Sequence, residues 1–277
     1  MLYTQFENGI KIPLLGFGTF RAAGDECEAA VLTALETGYR LIDTAEAYRN
    51  EEFVGKAIAK SGIPREELFI TTKVSFKSFE HARKSVEASL EKMGLDYLDL
   101  VLLHWPFANV YAAWRDLEKL YEEGVLRSIG VSNFEPYRLV DIIGYNKLKP
   151  AINQIETHLY CQRHDEHVWE KKYGVTHQSY SPLGQAKANE MFSEPDVVAT
   201  AQKYGKTPAQ VLLRFLIQNE VVVIPKSVHP GRIRENFDLF DFELDEKDMA
   251  ALKALDRKSP FTGVPTDPNK VESAMAW

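Results

Sequence analysis

The fold is decided by the stretch LIDTAEAY, residues 41–48, in which a short apolar run stops at an acid and a phenol follows. Asp43 would be the last residue of a buried strand, where an unpaired carboxylate is costly unless a cation meets it. Tyr48 would lie on the loop above that strand, just before a helix that opens at residues 49–50. The stretch therefore predicts a strand that delivers a functional carboxylate, with a phenol beside it.

Two later apolar runs also stop at side chains that can bind or react. Residues 68–73 end in Lys73, and residues 98–104 end in His104. Because the carboxyl ends of neighbouring parallel strands meet at one edge of a sheet, these side chains should lie close together. We therefore predict one site at that edge, built from the acid, the lysine, the histidine and the phenol.

Strand-like runs alternate with runs of helical spacing along the chain. The eight strand-like runs are residues 14–18, 39–43, 69–73, 98–104, 128–132, 152–156, 176–180 and 221–225. Eight strand–helix units with right-handed crossovers close most simply into a (β/α)8 barrel, also called a TIM barrel, an α/β fold. Glycines that follow the helical runs are expected to end them in a left-handed conformation; they are Gly38, Gly62, Gly94, Gly124, Gly144 and Gly174.

Both ends of the chain carry additional elements. An N-terminal β-hairpin is predicted by Asn8-Gly9, and we expect it to cap one end of the barrel. Extra helices near the C-terminus are predicted at residues 196–204, 207–219 and 245–255. The second of them opens with Thr207 as N-cap and Pro208 at the first helical position. From residue 258 onward the chain is expected to be loop.

Length and composition narrow the class of protein. The 277 residues are expected to form one domain, residues 1–277, with 45% hydrophobic and 26% charged residues. A net charge of −7 argues against a nucleic-acid partner. Only Cys27 and Cys161 are present, and no signal peptide or membrane span is visible. We therefore predict a cytoplasmic protein without a membrane partner.

The polar residues at the strand ends suit proton delivery to a carbonyl oxygen. A phenol has a pKa of about 10, and a nearby cation such as Lys73 would lower it by roughly 1–3 units. Asp43 would hold Lys73, and His104 would orient the substrate oxygen. Taken singly, each residue also has a structural interpretation: a buried ion pair, a surface phenol and a hydrogen-bonded core histidine.

Several motifs, taken in order, resemble the signatures of the aldo-keto reductases, and within them most closely the bacterial 2,5-diketo-D-gluconate reductase-like branch. They are LGFGT at residues 15–19, DTAEAY at 43–48, Lys73, LHWP at 103–106, GVSNF at 130–134, NQ at 153–154, SPLG at 181–184 and IPKS at 224–227. The resemblance implies a barrel that binds NADPH across the strand ends and reduces an aldehyde or ketone to an alcohol. It also implies that Tyr48 is the general acid, with Asp43, Lys73 and His104 as its partners.

The same resemblance implies a cofactor site along the strand ends. Its residues are Gly18, Thr19, Phe20, Ser132, Asn133, Gln154, Tyr180, Ser181, Pro182, Leu183, Gly184, Pro225, Lys226, Ser227, Arg232, Glu235 and Asn236. An aromatic face at Tyr180 would meet the nicotinamide, and the backbone N–H groups of residues 181–184 would meet the pyrophosphate. The 2′-phosphate would be met by Lys226, Ser227 and Arg232. Ser132, Asn133 and Gln154, which would end strands five and six, would hold the carboxamide, and Glu235 with Asn236 would meet the adenine. No G-x-G-x-x-G follows a strand, which argues against a Rossmann fold.

The expected substrate is a small carbonyl compound, bound by a monomer. The pocket would be lined by Phe20, Arg21, Trp105 and Trp277. Only residues 107–109 separate the LHWP motif from the next helix, which predicts an open pocket. His229 stands where relatives often place a basic residue, so NADH should be possible but weaker than NADPH.

The sequence also allows three other interpretations. His158, Cys161, His164 and His167 lie close in sequence but lack a structural-zinc spacing, so no metal is expected. A lysine that ends a barrel strand can also be the nucleophile of a Schiff-base aldolase, which would give Lys73 that role. The remaining alternative is a non-catalytic subunit that binds nicotinamide nucleotide.

Overall fold

A two-stranded hairpin and a parallel barrel form the centre of the computed structural model, which describes residues 2–276. The hairpin pairs β1 (Tyr3–Gln5) with β2 (Lys11–Pro13) in antiparallel fashion. The parallel strands are β3 (Phe17–Gly18), β4 (Leu41–Asp43), β5 (Phe69–Val74), β6 (Leu100–Leu103), β7 (Ile129–Ser132), β8 (Ile152–Glu156), β9 (Thr176–Tyr180) and β10 (Val222–Val223). They neighbour one another in chain order from β3 to β10.

The sheet closes where its last strand meets the segment before its first. Leu15 and Val223 form a parallel bridge. The N–H of Gly16 donates to the carbonyl of Val223 at 2.8 Å, and the N–H of Val223 donates to that of Leu14 at 2.9 Å. The predicted (β/α)8 barrel is thereby confirmed.

Helices surround the barrel and connect its strands. They are α1 (Gly24–Thr37), α2 (Glu51–Ser61), α3 (Ala82–Met93), α4 (Val110–Glu122), α5 (Pro136–Gly144), α6 (His164–Lys172), α7 (Ala188–Phe192), α8 (Pro195–Tyr204), α9 (Pro208–Gln218), α10 (Pro230–Phe237), α11 (Glu246–Lys253) and α12 (Pro268–Ala274). Helix α9 opens with Thr207 as its N-cap, as expected, and the structure adds a capping box, in which the Thr207 hydroxyl accepts from the N–H of Gln210 at 3.3 Å. None of these helices, within residues 2–276, is long and apolar enough to cross a membrane.

The barrel interior is filled by side chains that alternate along each strand. Its apolar layer comprises Phe6, Ile12, Leu41, Phe69, Leu100, Leu102, Ile152, Val222 and Ile224. Two of these belong to the hairpin region, so the hairpin covers one end of the barrel as expected. Successive side chains of a strand point to opposite faces. Asp43, two residues after Leu41, and Lys73, four after Phe69, therefore point to the interior at the other end.

Three details of the sequence prediction are wrong. Gly144 is the last residue of α5 and does not adopt a left-handed conformation. The chain beyond residue 258 is not all loop, because Pro268 starts the short helix α12 under the cap of Asp267. Gln154 does not end its strand but lies in the middle of β8, where its side chain faces the barrel interior.

Candidate active site

A buried ion pair lies at the carboxyl end of the barrel interior. Lys73 donates from Nζ to the Asp43 carboxylate and to the carbonyl of Thr44 at 2.8 Å, and the Lys73 and Asp43 side chains are 0% and 2% exposed. Gln154 donates to the other Asp43 oxygen at 2.7 Å. Burial raises the pKa of Asp43 and lowers the pKa of Lys73, while each charge opposes the shift of the other. The pair is therefore held together by mutual attraction and by hydrogen bonds to both partners.

Tyr48 lies directly beside this pair. It ends a short 3-10 turn, Glu46–Tyr48, and its ring centroid is 5.1 Å from the Lys73 ammonium. The His104 ring meets the Tyr48 ring edge-on at 5.7 Å, and the Phe20 ring packs on Tyr48 at 5.1 Å. The structure thus brings together the acid, the lysine, the phenol and the histidine that the sequence predicted.

The direction expected for the pKa of Tyr48 is wrong. Burial and the nearby negative charge of Asp43 raise the pKa of Tyr48 well above its ordinary value. Burial is the larger cause, and the Lys73 ammonium is directed to Asp43 and to the Thr44 carbonyl while it lies over the face of the phenol ring. At neutral pH, Tyr48 therefore keeps its proton and is a donor.

His104 is a neutral donor or acceptor in the same site. It follows β6 directly, and burial together with the charge of Lys73 lowers the pKa of His104 to about 3. Asn133 donates from its side-chain amide to the His104 carbonyl at 3.0 Å, which fixes the backbone beneath the ring. An imidazole of this kind can hydrogen-bond a carbonyl oxygen throughout the physiological pH range.

The lowered pKa of His104 makes stability depend on pH. In the unfolded chain an imidazole takes up a proton as the pH falls through about 6.5, whereas folded His104 does so only near pH 3. Between these two pH values the unfolded state thus binds more protons than the folded state. The free energy of unfolding therefore decreases as the pH is lowered through this range. The free energy of unfolding is measured in urea at about pH 7.5 and at about pH 4.5. We expect it to decrease less between these values in His104→Gln than in the wild type, because glutamine does not titrate. An equal loss in both proteins would contradict this.

Polar residues of the next strands form a connected group beside the ion pair. Tyr180 donates from its hydroxyl to Asn133 at 2.8 Å, and Asn133 in turn donates to the Ser132 hydroxyl at 3.1 Å. Ser132 donates to the carbonyl of Gln154 at 2.8 Å. Sequence reasoning missed Gln178, whose side-chain oxygen Oε1 accepts from the Gln154 side-chain amide at 2.9 Å and whose buried Nε2 has no partner among the described residues. Gln178 lies two residues before Tyr180 on β9, so the two side chains point to the same face of the sheet. This spacing could have identified Gln178 from the sequence.

The expected phosphate-binding turn needs a correction. Pro182 has no N–H, and the N–H of Gly184 donates to the carbonyl of Ser181 at 2.8 Å within the turn. Two of the four residues assigned to the pyrophosphate therefore cannot offer a free backbone donor. Ser181 itself lies in the left-handed region, with φ 53°.

The other residues assigned to the cofactor lie at residues 18–19 and around β10 and α10. Gly18 donates its N–H to the carbonyl of Pro225 at 3.0 Å, and Thr19 donates its hydroxyl to the carbonyl of Asp43 at 3.0 Å. Lys226 and Arg232 are exposed, whereas Ser227 and Asn236 are buried beneath them. Glu235 accepts from the Thr207 hydroxyl at 2.7 Å, so one of its oxygens is already used inside the protein.

The C-terminal segment lies over the site through contacts that the sequence did not indicate. Glu156 accepts from the N–H groups of Phe261 at 2.7 Å and Thr262 at 2.9 Å. The Thr262 hydroxyl lies 3.0 Å from that of Tyr180. From α12, Lys270 stands over the Trp105 ring at 5.0 Å.

The residues expected to line the substrate pocket surround Tyr48 from two sides. Phe20 packs on the Tyr48 ring, and Arg21 stands over Phe20 at 5.1 Å. Trp105 stacks on Phe107 at 5.5 Å in the short segment before α4, whose length is as predicted. Trp277, also assigned to this pocket, lies outside the described residues.

Two of the histidines considered as zinc ligands form separate hydrogen bonds with other residues. One ring nitrogen of His158 lies 3.0 Å from Glu156, and His164 lies 3.1 Å from Gln162. Burial raises the pKa of Cys161 to about 12. The expectation of no metal at these positions stays a prediction.

The remaining zinc candidate, His167, belongs to another group of ligand-type residues, which lies between α6 and β9. His167, Glu170 and His177 place their donor atoms within 4.8 Å of one another. However, one ring nitrogen of His177 lies 2.5 Å from Glu170 and the other 2.7 Å from Thr157. We interpret this group as a buried hydrogen-bonded pair that fastens α6 to the barrel.

Comparisons with known proteins agree with this architecture and this site. The model of the aldo/keto reductase family matches residues 14–257. An aldo-keto reductase of Mycolicibacterium vanbaalenii is 47% identical over 90% of both chains, and the methylglyoxal reductase DkgA of Escherichia coli is 42% identical over 91% of this chain and 93% of its own.

Solved structures give the same result. An aldo-keto reductase from a deep-sea metagenome library superposes with a TM-score of 0.93 at 41% identity, covering 95% of this chain and 98% of its own. A Bombyx mori aldo-keto reductase in complex with NADP gives 0.90 at 33% identity, covering 98% of this chain and 96% of its own. The chain belongs to the aldo/keto reductase family and is an NAD(P)H-dependent oxidoreductase that acts on carbonyl groups.

Proposed function

We propose that this enzyme uses NADPH to reduce an aldehyde or ketone to an alcohol, with Tyr48 as the general acid. The observation that carries the proposal is the position of the Tyr48 phenol, between the buried Lys73–Asp43 pair and the neutral His104. Relatives named methylglyoxal reductase, at 42–43% identity, favour small carbonyl compounds as the first substrates to test.

Each of the four residues has a distinct task in this reaction. NADPH supplies the hydride when it is bound. His104, neutral because burial and Lys73 lower its pKa, hydrogen-bonds the carbonyl oxygen and orients it. Negative charge that develops on this oxygen is neutralised by the proton of the Tyr48 hydroxyl. Lys73 stabilises the phenolate that remains, and Asp43 keeps Lys73 in place.

The residues along the strand ends fit the chemical groups of NADPH. Tyr180 offers a half-buried aromatic ring, and the hydroxyl and amide groups of Ser132, Asn133 and Gln154 suit a carboxamide. At the other end of the site, the exposed cations Lys226 and Arg232 suit a phosphate group. The turn at residues 181–184 contributes less to the pyrophosphate than the sequence suggested, for the reasons given above.

The first experiment follows NADPH absorbance against a panel of aldehydes, diketones and keto-sugars. Turnover of at least one class supports the proposal, whereas NADPH binding without any turnover would favour a non-catalytic subunit. A Schiff-base aldolase would instead be trapped by borohydride on Lys73 without nucleotide. Against this alternative, the Lys73 nitrogen is paired with Asp43 and bound to the Thr44 carbonyl, so it would have to leave both partners before it could attack a substrate carbonyl.

Cofactor choice is tested at Arg232. Hydrogen bonds to charged groups contribute about 1.5–3 kcal/mol each, so Arg232→Ala should weaken NADPH binding roughly ten- to hundredfold. NADH should change much less, because it lacks the 2′-phosphate, and NADPH affinity should fall as salt rises. The measurement is a pair of fluorescence titrations, one for each nucleotide, at two salt concentrations.

A second arginine on the same helix provides the control. Arg234 is also exposed on α10 and was not assigned to the cofactor, so Arg234→Ala should leave NADPH affinity within about twofold of the wild type. Equal losses of NADPH and NADH affinity in Arg232→Ala would mean that Arg232 does not bind the 2′-phosphate.

A further inference from the structure

We propose that Glu46 is a positioning residue for Tyr48, because its carboxylate fastens the turn that carries the phenol to the chain segment that follows Lys73. The inference rests on the proposed role of Tyr48 as the general acid. Glu46 lies within the DTAEAY motif, residues 43–48, but is not one of the four residues to which a step of the reaction is assigned.

Both oxygens of the Glu46 carboxylate are occupied by donors from one neighbouring segment. One oxygen accepts from the backbone N–H of Ser75 at 2.8 Å and from the hydroxyl of Ser85 at 2.9 Å. The other accepts from the hydroxyl of Ser78 at 2.6 Å. In the described part of the chain, no lysine or arginine forms an ion pair with Glu46, so these three donors meet its charge.

The two ends of this contact belong to different parts of the site. Glu46 begins the 3-10 turn that Tyr48 ends, and Ser75 stands two residues beyond Lys73, where it caps the 3-10 stretch Phe76–His81. One carboxylate therefore connects the loop bearing the phenol with the strand end bearing the lysine. Hydrogen bonds to an ionised acceptor are roughly twice as strong as neutral ones, so the connection is firm.

The opposite side of the Tyr48 loop is held independently. Asn50 accepts from the Thr44 hydroxyl at 2.6 Å and donates to the carbonyls of Thr19 at 3.0 Å and Ala22 at 2.9 Å. Loss of the Glu46 contact would remove the hydrogen bonds that tie the turn to residues 75–85, and it would leave those of Asn50 and the bond from Lys73 to the Thr44 carbonyl. The turn could then shift relative to Lys73 without unfolding, and the phenol would shift with it.

We expect Glu46→Ala to lower kcat for a carbonyl substrate roughly ten- to hundredfold, because a displacement of about 1 Å at a reacting group has costs of this size. The Kd for NADPH should stay within about twofold, since the residues assigned to the cofactor lie on other segments. Glu46→Gln should recover most of kcat, because an amide oxygen still accepts from the Ser75 N–H and the serine hydroxyls can reorient.

The control is another carboxylate that accepts from a backbone N–H, one that is buried and remote from the carboxyl end of the barrel. Glu118 on α4 accepts from the N–H of Leu148 at 2.8 Å, so Glu118→Ala removes a comparable contact. It should lower the unfolding midpoint and leave kcat within about threefold of the wild type. The proposal is overturned if Glu46→Ala keeps kcat within that range, if Glu46→Gln is as impaired as Glu46→Ala, or if Glu118→Ala loses as much kcat.

Two further variants keep the test decisive. If Glu46→Ala does not fold, Ser78→Ala removes one donor from the carboxylate and should still lower kcat about three- to tenfold; an unchanged kcat there overturns the proposal. Tyr48→Phe is measured in the same assay. If it keeps its turnover, the proposed function fails, whereas a loss in Tyr48→Phe without one in the Glu46 variant refutes only the present inference.

Discussion

Tyr48→Phe should lower turnover by roughly 10²–10⁴-fold while the protein folds and binds NADPH as before, since this is the usual contribution of a positioned general acid. Phenylalanine keeps the ring that packs on Phe20 and meets His104, and it removes only the hydroxyl. The raised pKa of Tyr48 means that the phenol is a weak acid, so proton transfer from it requires a strongly basic acceptor. The acid is therefore effective only when the substrate oxygen has become a strong base.

The measurement combines steady-state turnover with NADPH titration and an unfolding curve for each protein. Tyr137→Phe serves as the matched control, since that tyrosine is 62% exposed on α5 and should tolerate the change without effect. Near-wild-type turnover in Tyr48→Phe would remove Tyr48 from the mechanism, and a parallel loss of NADPH affinity would assign it to binding.

The pairing of Asp43 with Lys73 could be predicted because two simple constraints meet at these residues. Side chains alternate along a strand, so the residues two and four places beyond Leu41 and Phe69 had to face the barrel interior. A carboxylate in that position needs a cation, which made Lys73 a strong candidate partner for Asp43. Both constraints act over short distances in sequence or within one sheet.

The features that escaped prediction depend on orientation or on distant parts of the chain. The direction of the pKa shift of Tyr48 escaped prediction because the sequence does not show how deeply the phenol is buried or how close it lies to Asp43. The contacts of Glu156 with residues 261–262 join segments separated by more than a hundred residues, and no local pattern specifies them. Helix α12 is short and has few apolar residues, so its periodicity carried little signal.

Lys73→Met should abolish most activity and also destabilise the fold. It removes the cation that stabilises the Tyr48 phenolate, and it leaves the Asp43 carboxylate buried without a counter-charge. Removal of one partner from a fully buried pair costs on the order of 3–5 kcal/mol. Turnover and the free energy of unfolding in urea are measured together, because the two losses have different causes.

Arg127→Met is the control for stability. Arg127 pairs with the buried Asp99 at 2.7 Å, and in the variant Asp99 would still pair with Arg65 at 2.7 Å. This pair lies away from the carboxyl ends of the strands, since the N–H of Asp99 donates to the carbonyl of Ile70 at 3.2 Å. This variant should lose less stability than Lys73→Met and retain turnover. An activity loss in both variants in proportion to their stability would contradict a specific role for Lys73.

The double variant Asp43→Asn/Lys73→Met separates the structural task of the pair from its chemical one. Asparagine carries no charge that would be left unpaired in the interior. Its side-chain oxygen can still accept from Gln154, as Asp43 does at 2.7 Å. The double variant should therefore recover part of the stability lost in Lys73→Met, because the buried charge is gone. It should recover none of the turnover, since no cation then faces Tyr48. Full activity in either variant would point to an acid other than the Tyr48 phenol, whereas a stable and inactive double variant would assign the ammonium of Lys73 to the reaction and not only to the fold.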